Sequence, residues 1–341
     1  MTNIKKLNIL LLSVIVLFFS KINAQDLHYS QFYNSPQNIN PALTGVFKGD
    51  YRFTGSWRDQ WSFVPVPWTT FSGALDAKLY VLKGDNHFLG GGVSINHDRQ
   101  GDSPLNLTSV NINGAYHRML TSKHIVSGGL TLGFASRGFN SQTLTWDKQW
   151  NGDAFDPTLN SGEDFDDFER VNFLETGLGF NYRFQLHSRT FIDAGVGAIH
   201  LFKPSTSFAG SSIADLPQRI TYSAVGQIQL MDMLDVQLNA LHQTQGEYYE
   251  TIFGALGKIY ISQKKGNEIQ LHAGLGYRTA GSYFPTVAIQ YNNIYGAFSY
   301  DVDNTDFNKI NSIKRGGPEL HFRYTIANVK SLKQVKICPI Y

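Results

Sequence analysis

The chain carries one cysteine, Cys338, in 341 residues. No disulfide can form within it, and a cysteine-built zinc site or a cysteine-stapled fold is excluded. It has no excess of either charge. Its 29 Lys and Arg stand against 27 Asp and Glu, and setting aside Lys5, Lys6 and Lys21 leaves 26 against 27. That balance gives no basic field for nucleic acid. Long apolar runs are missing beyond the first two dozen residues, so no helical membrane span is expected there. Neither an H-E-x-x-H zinc motif nor a G-x-S-x-G nucleophile elbow occurs, and the sequence gives no ground for an enzyme.

What is present begins with an export signal. Lys5 and Lys6 precede an apolar run from Leu7 to Phe19 and an Ile22-Asn23-Ala24 cleavage site. Residues 1–24 read as a signal peptide with Gln25 as the first mature residue. The run, about thirteen residues, is too short to span a bilayer as a helix. No cysteine lies beside the site to carry a lipid.

Downstream, apolar and polar residues alternate. From Val171 to Leu186, one face collects Leu174, Leu178, Phe180, Tyr182, Phe184 and Leu186, and the other Glu175, Asn181, Arg183 and Gln185. The split recurs at Asn267 to Thr279 and at Gln218 to Leu230. Fourteen such stretches are expected, near 51–58, 67–82, 86–98, 105–119, 123–138, 171–186, 189–202, 218–230, 234–244, 248–261, 267–279, 284–291, 294–302 and 317–326. A soluble sandwich also alternates, but it has no reason to sort its loops. Here the even-numbered gaps are tight, as at His187-Ser188 and Asn292-Asn293, while the long ones, Asn140 to Arg170, Lys203 to Pro217 and Asp303 to Gly316, are all odd-numbered. Export signal, dyad alternation and loop rhythm together predict an all-β, antiparallel outer-membrane β-barrel of about fourteen strands. The expected organisation is a barrel over residues 51–327, an irregular N-terminal segment over 25–50, and a tail over 328–341, with both termini in the periplasm.

Charge placement fits. Arg183, Arg219, Arg278, Glu175 and Glu268 all fall on the polar face, whereas an Arg facing lipid at the midplane costs about 2–4 kcal/mol. The 17 Tyr and 24 Phe suit interfacial aromatic girdles. Gly90-Gly91-Gly92, Gly128-Gly129 and Gly274-Leu275-Gly276 read as crowded or bent strands and not as phosphate loops, since no helix pattern follows any of them.

Residues 26–45, from Asp26 through Gln31-Phe32-Tyr33, Pro36, Asn40-Pro41-Ala42 and Gly45, fit neither strand nor helix. Irregular backbone cannot face lipid, so this segment lies in the periplasm or folds into the lumen. It reads first as a plug or clasp and next, compatibly with that, as a docking element presenting Phe32 and Tyr33.

The stretch resembles the signature of the PorP/SprF family of type IX secretion system membrane proteins, a Q-F-Y-x-x-P-x-x-x-N-P-A-x-x-G run following the signal. Trp57-Arg58-Asp59-Gln60-Trp61, then Pro67-Trp68-Thr69-Thr70, Ser72 and Asp76, resemble the family's next block, and Cys338-Pro339-Ile340-Tyr341 its usual ending. The resemblance implies an outer-membrane component of the secretion and gliding motility machinery of Bacteroidota-type bacteria. It implies periplasmic ring partners of the PorK/PorN kind and export or surface attachment of a partner adhesin. Gln31, Phe32, Tyr33, Pro36, Asn40, Pro41, Ala42, Gly45, Trp57, Arg58, Gln60 and Trp61 are then the expected partner-binding residues. The rival from another class is a passive channel or hydrophobic-solute transporter.

Three features invite other chemistry. The acidic loop from Trp146 to Arg170 holds Asp147, Asp153, Asp156, Glu163, Asp164, Asp166, Asp167 and Glu169, oxygen ligands for calcium if they converged, but without EF-hand spacing. It reads first as a solvated loop and an extracellular contact surface. His97 and Asp98 stand next to each other, which on a strand places them on opposite faces. Cys338 sits near the end of the chain and reads as inert. No cofactor and no metal site is expected.

Overall fold

The computed structural model describes residues 26–61, 67–79, 86–101, 105–141, 144–162, 168–208, 215–304 and 315–327. The signal peptide, the tail with Cys338, and Glu163, Asp164, Asp166 and Asp167 of the acidic loop lie outside them.

Alternating residues extend because each strand serves two solvents, lipid outside and water or protein inside. Fourteen strands form: β1 (Tyr51–Gln60), β2 (Trp68–Leu79), β3 (His87–Gln100), β4 (Leu105–Met119), β5 (His124–Asn140), β6 (Phe168–His187) and β7 (Thr190–Ile199). They continue with β8 (Arg219–Met231), β9 (Leu234–Gln245), β10 (Tyr248–Lys264), β11 (Asn267–Arg278), β12 (Ser282–Tyr291), β13 (Ile294–Asp303) and β14 (Arg315–Ile326). Each pairs antiparallel with its chain neighbours. β1 closes on β14 from Tyr51↔Ile326 to Arg58↔Glu319, giving one closed barrel. Closure satisfies every strand edge, which lipid requires.

β1 begins and β14 ends at the end where the two-residue connections β6–β7, β8–β9 and β12–β13 lie. We call it the short-turn end, and the opposite one the long-loop end. The long connections β5–β6, β7–β8 and β13–β14 all fall at the latter, but so do the tight β9–β10 and β11–β12 turns, so loop length alternates only in part. β5 and β6 run longer than the sequence suggests. Their ladder continues through Gly138↔Arg170 to Asn140↔Phe168 and carries the hairpin toward the acidic loop.

The outer face is apolar. Val93, Ile95, Val110, Ile112, Leu130, Leu132, Leu174, Leu178, Phe253, Val287, Ile289 and Phe322 are all exposed. Tyr277 pairs with Tyr283 on this face near the long-loop end, and Tyr51, Tyr116, Tyr291 and Tyr324 flank it toward the short-turn end. Arg183, Arg219, Arg278 and Glu175 are buried inside. No helix among the described residues is long and apolar enough to cross a membrane; the crossings are strands.

Candidate functional site

Residues 26–50 run inside the lumen. Prolines break the segment into three single turns of 3-10 helix, Phe32–Asn34, Pro36–Asn38 and Pro41–Leu43, with Pro36 and Pro41 at first positions where no N–H is needed. Asn40 fixes the last turn: its Oδ1 accepts from Ala42 N at 2.9 Å, and its Nδ2 donates to the Phe180 carbonyl of β6 at 2.8 Å.

The segment descends the barrel. Asp26 sits at the long-loop end, where its carboxylate lies 2.9 Å from Arg219 Nη1 and 3.0 Å from His200 Nε2. Arg219 also donates to the carbonyls of Leu27 and Asn38, at 3.0 and 2.7 Å. Below, Glu319 accepts from the backbone N–H groups of Ser30 and Gln31 at 2.8 and 2.7 Å. The Ser30 hydroxyl donates to Asp301 at 2.7 Å, and Arg58 holds Asp301 at 2.6 Å while donating to the His28 carbonyl at 2.7 Å. Arg278 pairs with Glu250 and reaches Ser30 Oγ at 2.8 Å. Toward the short-turn end, Asp76 accepts from Gly45 N at 2.8 Å and pairs with Arg52 at 2.7 Å, and His117 Nε2 meets the Thr44 carbonyl at 2.8 Å. Buried charge is tolerated here because each group meets an opposite charge or a backbone dipole.

Packing seats the same segment. Phe32 and Ile39 join inward-facing Leu241, Ile252 and Phe284 in one apolar cluster. Two of the glycine runs have their reason here. A Cβ on Gly129 would lie 2.3 Å from Ala42 N, and one on Gly90 2.1 Å from the Thr44 carbonyl, so the wall is bare of side chains where the segment's backbone lies against it.

Electrostatics tie the start of the segment to the long-loop rim. Burial alone would lower the His200 pKa, but its contacts with Asp26 and Glu175 override that and raise it to about 9. Burial alone would raise the Asp26 pKa, but the Arg219 charge and His200 hold it below the carboxylate range.

Of the expected partner-binding residues, Gln31, Phe32, Pro36, Asn40, Pro41, Ala42 and Gly45 are buried in the lumen, with Tyr33 half-buried beside them. Arg58 is also inside, while Trp57 is outward on the same strand. Trp61 packs edge-on against Trp68 at the long-loop rim, 5.4 Å between centroids. The sequence reading missed Asp26, Asp301, Glu319 and His200. Glu319 and Asp301 carry the usable signal, carboxylates on the inward faces of β14 and β13; the segment they hold lies nearly three hundred residues away.

His97 points outward to Thr108 Oγ1 at 2.8 Å and Asp98 inward to Thr70 Oγ1 at 2.6 Å, so no acid–base pair forms. Among the described residues no group of three or more His, Cys, Asp or Glu is placed to hold a metal.

Beneath the segment, at the short-turn end, the lumen opens into a chamber of about 1040 Å³. The voids above it, beside Asp26, are about 30 Å³ each.

A closed barrel with an apolar belt, a charged lumen and irregular backbone kept away from lipid is an outer-membrane barrel. The chain belongs to the type IX secretion system membrane protein PorP/SprF family, whose family model matches residues 21–324. It is therefore an outer-membrane component of type IX secretion. No curated protein matches it. Among solved structures it is similar to a monoaromatic hydrocarbon channel, a TodX deltaS2 mutant, at 12% identity and TM-score 0.50, covering 85% of this chain and 92% of that one. A FadL homologue of Pseudomonas aeruginosa matches at 11% identity and TM-score 0.49, with 84% and 92% covered. The beta domain of the Bordetella autotransporter BrkA matches at 12% and 0.40, with 82% and 99% covered. At such identities the likeness is one of fold.

Proposed function

We propose that the protein is a non-enzymatic docking barrel of the secretion and gliding machinery, which binds periplasmic ring components and assists export or surface attachment of a partner adhesin. The observation that carries this reading is the seated N-terminal segment, whose backbone, ion pairs and apolar cluster fill the lumen from Asp26 to Gly45. A lumen occupied in this way serves contact better than transit. With the short turns toward the periplasm, the mouth around Lys48 and Arg52 is the face offered to a ring, and the Trp61–Trp68 pair and the acidic loop are the faces offered outside. Gln31 to Gly45 set the segment's seat, and a partner reaches them only if the segment is withdrawn.

The test is to extract the tagged protein from native envelopes in mild detergent and identify what co-purifies. Ring components or a large surface adhesin support the reading, and Asn40-Pro41→Ala-Ala then reduces their recovery while the barrel still reaches the membrane. A barrel that comes out alone and conducts ions shifts the reading to a passive channel.

A further inference from the structure

The short-turn chamber has two unlike walls. One is the underside of the lumen segment, with Tyr33, Leu43 and Val46; the other is the strand wall, with Lys258, His272 and Arg323. Seven Lys and Arg line the chamber against two carboxylates, Asp193 and Glu268, so it is cationic.

Several of those cations are already matched. Arg52 meets Asp76, Arg183 meets Asp193 and Arg189 meets Asp235. Lys258 and Arg323 are not. Lys258 Nζ donates to the neutral Gln227 Oε1 at 2.6 Å, and Arg323 lies over the Tyr295 ring at 4.3 Å. Neither forms an ion pair with a described residue; Lys258 stands opposite Asp235 in the β9–β10 ladder, but that carboxylate is taken up by Arg189, Gln227 and Tyr260, and Lys258 and Arg323 line the same chamber. Two like charges drawn into a partly desolvated space cost free energy that a bound anion returns. The adjoining apolar surface favours a ligand with a body as well as a head, and the volume is that of a small-molecule site. Because the segment closes the chamber above, the site is entered from the short-turn mouth, between the β6–β7, β10–β11 and β12–β13 turns.

We propose that this chamber binds an amphiphilic monoanion, a single carboxylate on an apolar body. Its head is drawn by Lys258 and Arg323, and its body lies against Tyr33, Leu43 and Val46. The inference stands apart from the secretion reading, since it needs only the folded barrel with its segment in place.

The probe is tetradecanoic acid, offered to the full-length protein in a neutral detergent or nanodisc and followed by native mass spectrometry. Tetradecanol, inorganic phosphate and the dipeptide N-acetyl-Ile-Tyr serve as comparators. The acid should bind at least about tenfold tighter than the alcohol, the size of a charge-assisted hydrogen bond. Lys258→Gln and Arg323→Gln should each cut that preference severalfold, Arg323→Lys should keep most of it, and Lys123→Gln in the β4–β5 turn should change nothing. Equal binding of acid and alcohol overturns the proposal on the unaltered protein alone, whatever the variants do. So does a preference that survives both Gln variants, full displacement by phosphate at matched concentration, which would mean an anion site without a body, or tighter binding of the dipeptide, which would mean a chain terminus.

Discussion

The Asp26 carboxylate meets the Arg219 guanidinium at 2.9 Å where β8 begins, at the rim opposite the one where the same chain enters β1 at Tyr51. The segment between them therefore spans the height of the lumen. The described chain thus starts near the long-loop rim, although β1 starts at the short-turn one.

This anchor responds to pH from both sides. The raised pKa of His200 gives stability that is complete below its ordinary 6.5 and lost as pH rises through about 9; a shift of that size is on the order of 3 kcal/mol. The lowered pKa of Asp26 gives stability present above its ordinary 3.8 and lost as pH falls further. Hydrogen exchange of residues 26–30 should be slowest between about pH 4 and 6.5 after correction for the intrinsic rate. It should accelerate above pH 9, and Asp26→Asn should flatten the alkaline limb. An alkaline limb unchanged in Asp26→Asn would remove this anchor from the account.

Glu319 holds the middle of the segment. Glu319→Gln takes the charge from between Arg58 and His321 and weakens two backbone acceptances, at a cost of about 3 kcal/mol for a broken buried pair. The expected outcome is a lower temperature for the heat-modifiable gel shift of the refolded barrel. An unshifted transition would mean that Glu319 is held by something other than these contacts.

Gly129→Val places a side chain where Ala42 N now lies, while Gly129 stays paired with Ala115 and Gly179 in the sheet. The barrel should still fold, and limited proteolysis should cut within residues 26–50 that are protected in the unaltered protein. Equal protection in both proteins would place the segment elsewhere.

The hydroxyls of Ser35 and Ser56 meet at 2.7 Å. In a Cys338→Ser background, Ser35→Cys with Ser56→Cys should oxidise to an intramolecular disulfide during export, visible as a faster-migrating band that reductant abolishes. Free thiols in the exported protein would count against the seat.

Much of the barrel was legible because lipid imposes a simple rule. Glu175, Arg183, Arg219 and Arg278 could face only inward, and their alternation with Leu174, Leu178 and Tyr277 set strand and face together. Register followed loosely, with β5 and β6 extending further because their pairing continues above the belt. The seat of the N-terminal segment was less legible. Its prolines exclude regular structure, but nothing local says that Asp26 reaches Arg219 or that Ser30 and Gln31 cap Glu319, since these contacts join distant parts of the chain. Gly90 and Gly129 were visible as crowded positions, yet the neighbour that crowds them is the segment itself. The chamber was not readable at all, because Lys258 and Arg323 look like any other inward cations until their partners are placed.

Ion conductance of the purified full-length barrel in planar bilayers tests most directly whether the lumen is closed by the protein's own chain. The unaltered protein should be nearly silent, with stepwise openings appearing in Gly129→Val as the segment loosens. Sustained open-channel conductance by the unaltered protein would contradict that closure.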